Sequence, residues 1–426
     1  MNVAVIGAGK MGLPLACALA SGGARVVACD VKPALVDAIN AGACPVDEPG
    51  LPELTARLVK DGHLRATTET AGAVSQSDVV VVIVPTLLTQ DKDADTSIME
   101  AVSAQIAEGL KPGMMVSYET TLPLGGTRGL LPILESRGLK GGKDFNLVFS
   151  PERVKSRRVL ERLTVNPKVV GGLTSACAER GAAFYRQYLG APVLNVGSLE
   201  AAEMVKLAGM VYRDVNIALA NELARYCEAV GVDFRVVVQA ANTDGEARLL
   251  EPGIGVGGHC TPVYPYFLVK SAQRLGVRVD MVELGRRIND EQPAHTLDRL
   301  ERAWGALRGR RVLILGLGFR PQVKEHTCSP AFRLRDELLS RGADVRLHDP
   351  LYSPEEIKGH GFAPGSLESA PPAQALVLNT AHRAYADLDF GDLAAGGLQA
   401  VVDGRNLWQP EKVRAAGLIY VGVGKP

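Results

Sequence analysis

Two glycine-rich segments carry the residues whose types and spacing could do chemistry. Pro252-Gly253-Ile254-Gly255-Val256-Gly257-Gly258-His259-Cys260 sets four glycines within six residues and ends on a cysteine. Such a run exposes backbone N–H groups and lets a phosphate or sugar come close, and the thiol that ends it is available as a nucleophile. Beside a dinucleotide, a thiol can add to an aldehyde to give a thiohemiacetal, and loss of hydride turns that adduct into a thioester that water can open. The bland alternative is a buried thiol next to a flexible turn, with His259 pointing elsewhere along the chain.

The other segment, Gly7-Ala8-Gly9-Lys10-Met11-Gly12, follows the apolar run Asn2 to Ile6 and opens an apolar-periodic stretch through Ala20. Strand, turn and helix in that order make a dinucleotide fingerprint: the first glycine for the tight turn, the second for approach of the pyrophosphate, the third for helix–strand packing. The phosphates then meet unpaired N–H groups and the positive end of a helix. Asp30 ends the next strand-like run, Arg25 to Cys29, where its carboxylate can accept from the adenosine ribose hydroxyls and repel a 2′-phosphate. NAD is therefore expected over NADP, although Lys32 leaves a small opening for the latter.

These groups need a scaffold, and the pattern around them supplies one. A strand-like run from Asp78 to Val84 leads into Pro85-Thr86, and strands alternating with helices imply a doubly wound parallel sheet. From Leu199 to about Val230 no proline occurs, and Met204, Leu207, Ala208, Val211, Val215, Ala218, Leu219 and Leu223 recur at helical spacing. One long helix is expected, with a break near Gly209 as the alternative. After Arg308-Gly309 the pattern restarts: Arg311 to Leu315 reads as a strand, Gly316-Leu317-Gly318 as a turn, Ala331 to Leu339 as a helix, Ala343 to His348 as a strand ending at Asp349. This second unit lacks the third glycine of the fingerprint and is assigned to something other than the dinucleotide. The expected class is α/β: two Rossmann-like doubly wound domains joined by a long central helix and helical region, divided as 1–198, 199–306 and 307–426.

Composition narrows the partners. With 46% hydrophobic and 22% charged residues, the 426-residue chain reads as ordered and multidomain. Lys plus Arg and Asp plus Glu are 47 each, so no net field holds it to nucleic acid or an anionic membrane. The longest apolar run, Val79 to Pro85, is far short of the roughly 20 residues a spanning helix needs, and Met1 leads straight into a strand, so a cytoplasmic location is expected. The seven cysteines are scattered without a CxxC pair, so most are expected to be inert buried thiols and no metal is expected.

Across nearly its whole length the chain resembles the UDP-glucose/GDP-mannose dehydrogenase family. The likeness is carried by Gly7 to Gly12, Glu48-Pro49-Gly50-Leu51, Val84-Pro85-Thr86, Thr121-Leu122-Pro123, Ser150-Pro151-Glu152, Glu203 to Leu223, Gly257-Gly258-His259-Cys260 and Gly316 to Pro321. The forms Ser150-Pro151-Glu152-Arg153-Val154, Tyr212 to Glu222 and Gly258-His259-Cys260 look like the branch acting on UDP-N-acetylhexosamines. The resemblance implies an NAD-dependent four-electron oxidation of a sugar CH2OH to a carboxylate, with two NAD reduced, making a uronic acid for a polysaccharide or another glycoside. It implies Cys260 as nucleophile, Lys206 as the cation that stabilises a developing oxyanion, Glu152 as the general base acting through water, and Thr121 as the group positioning that water and the nicotinamide. It places the cofactor on Gly7, Gly9, Lys10, Met11, Gly12, Asp30, Pro85, Thr86, Thr121 and Glu152. The nucleotide sugar falls to Glu152, Arg153, Lys206, Arg248, Gly257, Gly258, Phe319 and Arg320, with the third domain over the nucleotide. A homodimer through the central helices is implied as well.

The match is not complete. Where the family commonly has Asn and Asp near the reacting carbon, this chain has Met210 and Tyr264, and Glu246 stands where many members carry a substrate-contacting Arg. The usual Asp-Asp-x-Arg-x-Ser is replaced by Val323-Lys324-Glu325-His326-Thr327-Cys328-Ser329. These departures bear on sugar identity and on the rate of hydrolysis. A catalytically weak paralogue that binds the sugar nucleotide and NAD is one alternative; a single-step hydroxyacid dehydrogenase is another, with no need for the Cys260 loop.

Overall fold

The computed structural model describes residues 1–154, 157–368 and 372–426. Contacts divide the chain into two compact units, Met1–Gly209 with Tyr266–Gly276, and Met210–Pro265 with Val277–Pro426. Among the described residues no helix is long and apolar enough to cross a membrane.

The first unit holds an eight-stranded sheet in the order Val193–Ser198, Lys168–Gly172, Asn146–Phe149, Met115–Tyr118, Val79–Val82, Asn2–Ile6, Arg25–Cys29, Leu64–Thr67. All neighbours are parallel except Asn146–Phe149 against Lys168–Gly172. Val79–Val82 is four buried valines, the continuous apolar run required of a strand covered on both faces. The sequence suggested a strand from Asp78 to Val84, but the ladder stops at Val82 because the next residues turn out of the sheet, and Thr120 Oγ1 takes the Val84 carbonyl at 2.6 Å. The strand order reverses between Asn2–Ile6 and Val79–Val82, and at such a switch point the carboxyl ends open a crevice. Gly7 N–H to Cys29 O (2.8 Å), Ile83 N–H to Ile6 O (2.9 Å), Glu119 N–H to Val82 O (2.8 Å) and Ser150 N–H to Tyr118 O (2.9 Å) keep the four strand exits in step along that edge.

The long helix runs unbroken from Leu199 to Val230, 32 residues or roughly 48 Å at the usual rise, and passes from one unit into the other. Gly209 does not break it; a Cβ there would meet nothing within 4 Å, so the glycine costs helix propensity without changing the path.

In the second unit six parallel strands follow the order Ala363–Pro364, Asp344–His348, Arg311–Leu315, Ala375–Leu378, Ala400–Asp403, Ile419–Gly422. The expected helix after the glycine turn is Pro330–Ser340, started by Ser329, whose Oγ accepts from Ala331 N–H. The helix Asp280–Trp304 is tied to the later part of the long helix by polar groups in a dry seam. Arg286 pairs with Asp214 at 2.6 Å, Asn289 Nδ2 donates to Asp214 Oδ1 at 2.9 Å, and Asn221 Nδ2 donates to Asn289 Oδ1 at 2.9 Å. Asp214 is fully buried and Arg286 nearly so. Arg286→Met should therefore strand a buried carboxylate and lower unfolding free energy by about 3–5 kcal/mol. Desolvation already raises the Asp214 pKa while Arg286 holds it down. With the cation gone, folding favours the protonated acid, so the deficit is larger at neutral pH and shrinks in acid. Urea midpoints at pH 7 and pH 4.5 check this; equal midpoints for wild type and variant would refute the role given to the pair.

Candidate active site

The cofactor fingerprint is built as its spacing requires. Gly7 has φ +97°, and a Cβ on Gly12 would sit 1.7 Å from the Gly7 carbonyl oxygen, so only glycine lets the helix Gly12–Ser21 start hard against the turn. A Cβ on Gly9 would meet nothing within 4 Å, which leaves its backbone open to a pyrophosphate. Lys10 is exposed beside it, and Met11 precedes the helix with its side chain packed on the core. Asp30 does more than the sequence indicated: Oδ2 accepts from Ala8 N–H at 3.0 Å and Oδ1 from Lys32 N–H at 3.1 Å, so it braces the turn and still has lone pairs for a ribose. Pro85 is exposed. Thr86 Oγ1 is buried with no partner among the described residues, a polar group that a ligand would satisfy. These features fit a dinucleotide.

The next two strand exits carry Thr121 and Glu152, in the same unit as Lys206. Thr121 is buried two residues after Glu119, and Glu152 N–H donates to the Glu119 carbonyl at 3.2 Å. Lys206 is 6% exposed and donates its ammonium to the Glu152 carbonyl. Three residues ahead of it, Glu203 is buried and accepts from Gly125 N–H (2.6 Å) and Thr127 N–H (2.8 Å), pinning the start of the long helix to the turn after Thr121. Glu203 was not singled out from the sequence; its spacing before Lys206 on one helix face was the available signal. Desolvation raises the Glu152 pKa against the pull of Lys206 and Lys168, with Glu119 adding to the rise. Arg153 is exposed and donates to the Pro167 carbonyl.

Cys260 belongs to the second unit, and its loop is docked on the carboxyl ends of the second sheet. Gly253 N–H donates to Asn221 Oδ1 (3.0 Å), Ile254 N–H to Gly404 O (3.0 Å) and Gly258 N–H to Thr327 O (2.8 Å). A Cβ on Gly257 would lie 2.4 Å from Phe319 Cβ and 3.0 Å from the Cys328 carbonyl. The glycines thus serve close docking against protein groups, a use beyond the phosphate or sugar approach read from the sequence. Cys260 is partly buried, and its carbonyl accepts from Tyr264 N–H at 2.9 Å where the helix Tyr264–Arg274 begins. Burial pushes the Cys17 thiol up to about 11 and the Cys29 thiol to about 12.

Phe319 and Arg320 follow the first strand of this sheet, and Arg320 Nε is buried without a partner among the described residues. Arg405 was missed by sequence reasoning. It follows the strand Ala400–Asp403 at the carboxyl edge of the sheet, and donates through Nε to Asn379 O (2.7 Å) and through Nη2 to Gly255 O (3.3 Å). Burial lowers its pKa to about 10, with Asp403 opposing. Arg248 is exposed in a turn whose backbone is held by Asn216 and Asn242; those contacts fix its main chain and not its guanidinium.

Asp349 repeats the bracing role of Asp30, accepting from Leu317 N–H (2.7 Å) and Gly318 N–H (3.2 Å), but it is buried and faces His382 Nε2 at 3.3 Å. The following helix starts only at Pro330, so no helix N-terminus stands behind Gly318 to receive a pyrophosphate. Among the described residues no three His, Cys, Asp or Glu side chains gather as metal ligands.

Sequence models of one family cover most of the chain: the NAD binding domain of the UDP-glucose/GDP-mannose dehydrogenase family matches residues 1–189, its central domain 200–291 and its UDP binding domain 313–410. A relative described as NDP-N-acetyl-D-galactosaminuronic acid dehydrogenase, from Ralstonia nicotianae, is 32% identical over 97% of this chain and 98% of its own length. The solved structure of a UDP-D-ManNAc dehydrogenase from Pyrococcus horikoshii superposes with a TM-score of 0.89 at 30% identity, covering 100% of this chain and 99% of that one. A UDP-glucose dehydrogenase from Pyrobaculum islandicum gives 0.88 at 29% identity, covering 100% and 98%. With its dinucleotide turn, its two switch-point sheets and all three domain models matched, this chain belongs to the UDP-glucose/GDP-mannose dehydrogenase family and is an NAD-dependent nucleotide-sugar dehydrogenase.

Proposed function

We propose that the chain oxidises the C6 hydroxymethyl of a UDP-sugar, a UDP-N-acetylhexosamine or UDP-glucose, to the carboxylate through a covalent intermediate on Cys260. The observation that carries this reading is the Lys206 ammonium donating to the Glu152 backbone on the carboxyl edge of the sheet that also carries the dinucleotide turn. Bound NAD accepts a hydride at each of the two oxidations. In the first, the C6 alcohol gives up a hydride to NAD and a proton to water and becomes an aldehyde. The Cys260 thiol then adds to the aldehyde: sulfur bonds to C6 as the C=O π bond opens, the thiol proton passes to the oxygen, and the negative charge developing there is stabilised by the buried Lys206 cation, giving a thiohemiacetal. Loss of the second hydride leaves a thioester. Glu152 draws a proton from water, the water oxygen attacks C6, the C–S bond breaks, and the carboxylate departs. Desolvation raises the pKa of this carboxyl, which makes it a stronger base than a solvated carboxylate. In this reading Thr121 orients the water, and Arg153, Gly257, Gly258, Phe319 and Arg320 hold the substrate.

A homodimer is part of the same reading. Tyr212, Leu219 and Tyr226 recur every seven residues on the long helix at 60%, 43% and 68% exposure, with Val230 next in line. An exposed aromatic and aliphatic stripe at helical period fits a second copy of that helix. Tyr226→Asp should convert a dimer to monomer by light scattering; a wild-type mass of one chain would end this idea.

Cys260→Ala should abolish NADH-linked carboxylate formation while leaving NAD affinity within about twofold, since the thiol lies outside the dinucleotide turn. The readout is NADH with a panel of UDP- and GDP-sugars. In wild type, Met210 and Tyr264 in place of polar groups should make hydrolysis slow, giving an NADH burst and an acyl group on Cys260 by mass spectrometry. Full activity in Cys260→Ala, or one NADH per sugar with released aldehyde, would overturn the four-electron mechanism.

Asp30→Ala should weaken NAD by about 10- to 100-fold, as expected for a lost hydrogen bond to a charged group, and narrow the preference over NADP. Fluorescence titration with both cofactors checks it; equal use of the two by wild type would defeat the role given to the carboxylate.

A further inference from the structure

The strand exits that carry Thr121 and Glu152 also hold charged groups that the reaction above leaves unused. Glu119 is fully buried and pairs with Lys168, itself 7% exposed, while the Lys168 ammonium stands 4.9 Å from the centre of the Tyr185 ring. Tyr185, also fully buried, donates its hydroxyl to Glu119 Oε1 at 2.8 Å and meets Ser117 Oγ at 2.8 Å. As a device for stability this is a poor choice, because apolar residues of similar volume often hold a core as well or better than a buried ion pair. Its position gives it another use. The Glu119 main chain is bonded on one side to Val82 O (2.8 Å) and on the other accepts from Glu152 N–H (3.2 Å), and Thr121 is two residues on. Movement of Glu119 is therefore passed directly to both.

We propose that Glu119, Lys168 and Tyr185 are positioning residues for Glu152: the cluster anchors its backbone and sets the electric field in which its carboxylate ionises. The inference rests on the reading of Glu152 as the base. The groups facing Glu152 are Lys206 from the long helix, Lys168 from its strand, Glu119 from the neighbouring strand exit, and Val154 N–H and Arg153 from its own segment. Lys206, Lys168 and the Val154 N–H favour the carboxylate, Glu119 opposes it, and desolvation outweighs them. Lys168→Met removes a cation and leaves the Glu119 charge uncompensated, so Glu152 keeps its proton to higher pH. Glu119→Gln acts in the opposite sense. The double substitution removes both charges and should restore the starting point.

The test uses the full-length enzyme with whichever of UDP-N-acetylglucosamine, UDP-N-acetylgalactosamine, UDP-N-acetylmannosamine and UDP-glucose gives most NADH. Activity falls in acid as Glu152 takes up its proton, and that acid limb of kcat should move up by about one pH unit in Lys168→Met, a shift of the size that nearby opposite charges produce. It should move down in Glu119→Gln, return in Glu119→Gln/Lys168→Met, and stay near wild type in Lys168→Arg, with KM for NAD within about twofold throughout. Tyr185→Phe, which changes no charge and withdraws one hydrogen bond from Glu119, should give a smaller upward move if Lys168→Met fails to fold. An infrared titration of the carboxylic C=O band that Glu152→Gln deletes reads the same ionisation without substrate. Loss of the limb in Glu152→Gln with no movement in any cluster variant overturns the proposal. Retention of the limb in Glu152→Gln overturns the reading of Glu152, and the infrared titration then still decides whether the cluster governs its ionisation.

Discussion

Parallel pairing is the constraint on which everything else in each unit depends. A parallel strand must be re-entered from the far end, so all exits open on one edge, and where the order reverses the edge becomes a crevice. In the first unit Gly7, Ile83, Glu119 and Ser150 leave the sheet side by side, locked by backbone bonds to the neighbouring strand. The fingerprint turn, Thr86, Thr121 and Glu152 are neighbours for that reason, although they are separated by scores of residues in the chain. In the second unit the same rule brings Gly316, Asn379 and Gly404 to one edge, which receives the Gly253–Gly258 run.

The loop that presents Cys260 illustrates how backbone economy and chemistry combine. Four glycines make the loop thin enough to lie against Phe319, Pro330 and Arg405 with three main-chain N–H bonds satisfied by Asn221, Gly404 and Thr327. A side chain at the end of a segment so held starts from a backbone with little freedom to wander. Lys206 is held in comparable fashion, with Glu203 one turn earlier capturing the N–H groups of Gly125 and Thr127.

Buried ion pairs tie elements together in both units. Asp214–Arg286 joins two helices and Glu119–Lys168 underlies Glu152, and each places ions in low dielectric where geometry is enforced strongly and errors are expensive. Asp30 and Asp349 make the same backbone brace in two sheets, but His382 fills the space beside Asp349, so one turn remains open to a ribose and the other is closed.

Much of this was legible in the chain itself. Continuous apolar runs placed the strands at Asn2–Ile6, Arg25–Cys29 and Arg311–Leu315, and helical spacing placed the 32-residue helix from Leu199, because these patterns are set by local geometry. The tight turn at Gly7 and the close helix packing at Gly12 were readable for the same reason: their geometry lies within one turn and the adjoining strand. Arg405 and the Glu119–Lys168–Tyr185 cluster left no local trace, and Glu203 only its spacing before Lys206, since each acts on residues far away in sequence and looks, in isolation, like an ordinary helix or strand-end residue. The second job of Asp30 as a brace, the early exit of the chain after Val82, and the packing purpose of Gly257 were likewise decided only by what folding brought alongside them. Periodicity reports which face a residue presents to the core; it carries no information about which distant partner arrives there, and that is fixed only when strand order and register are set.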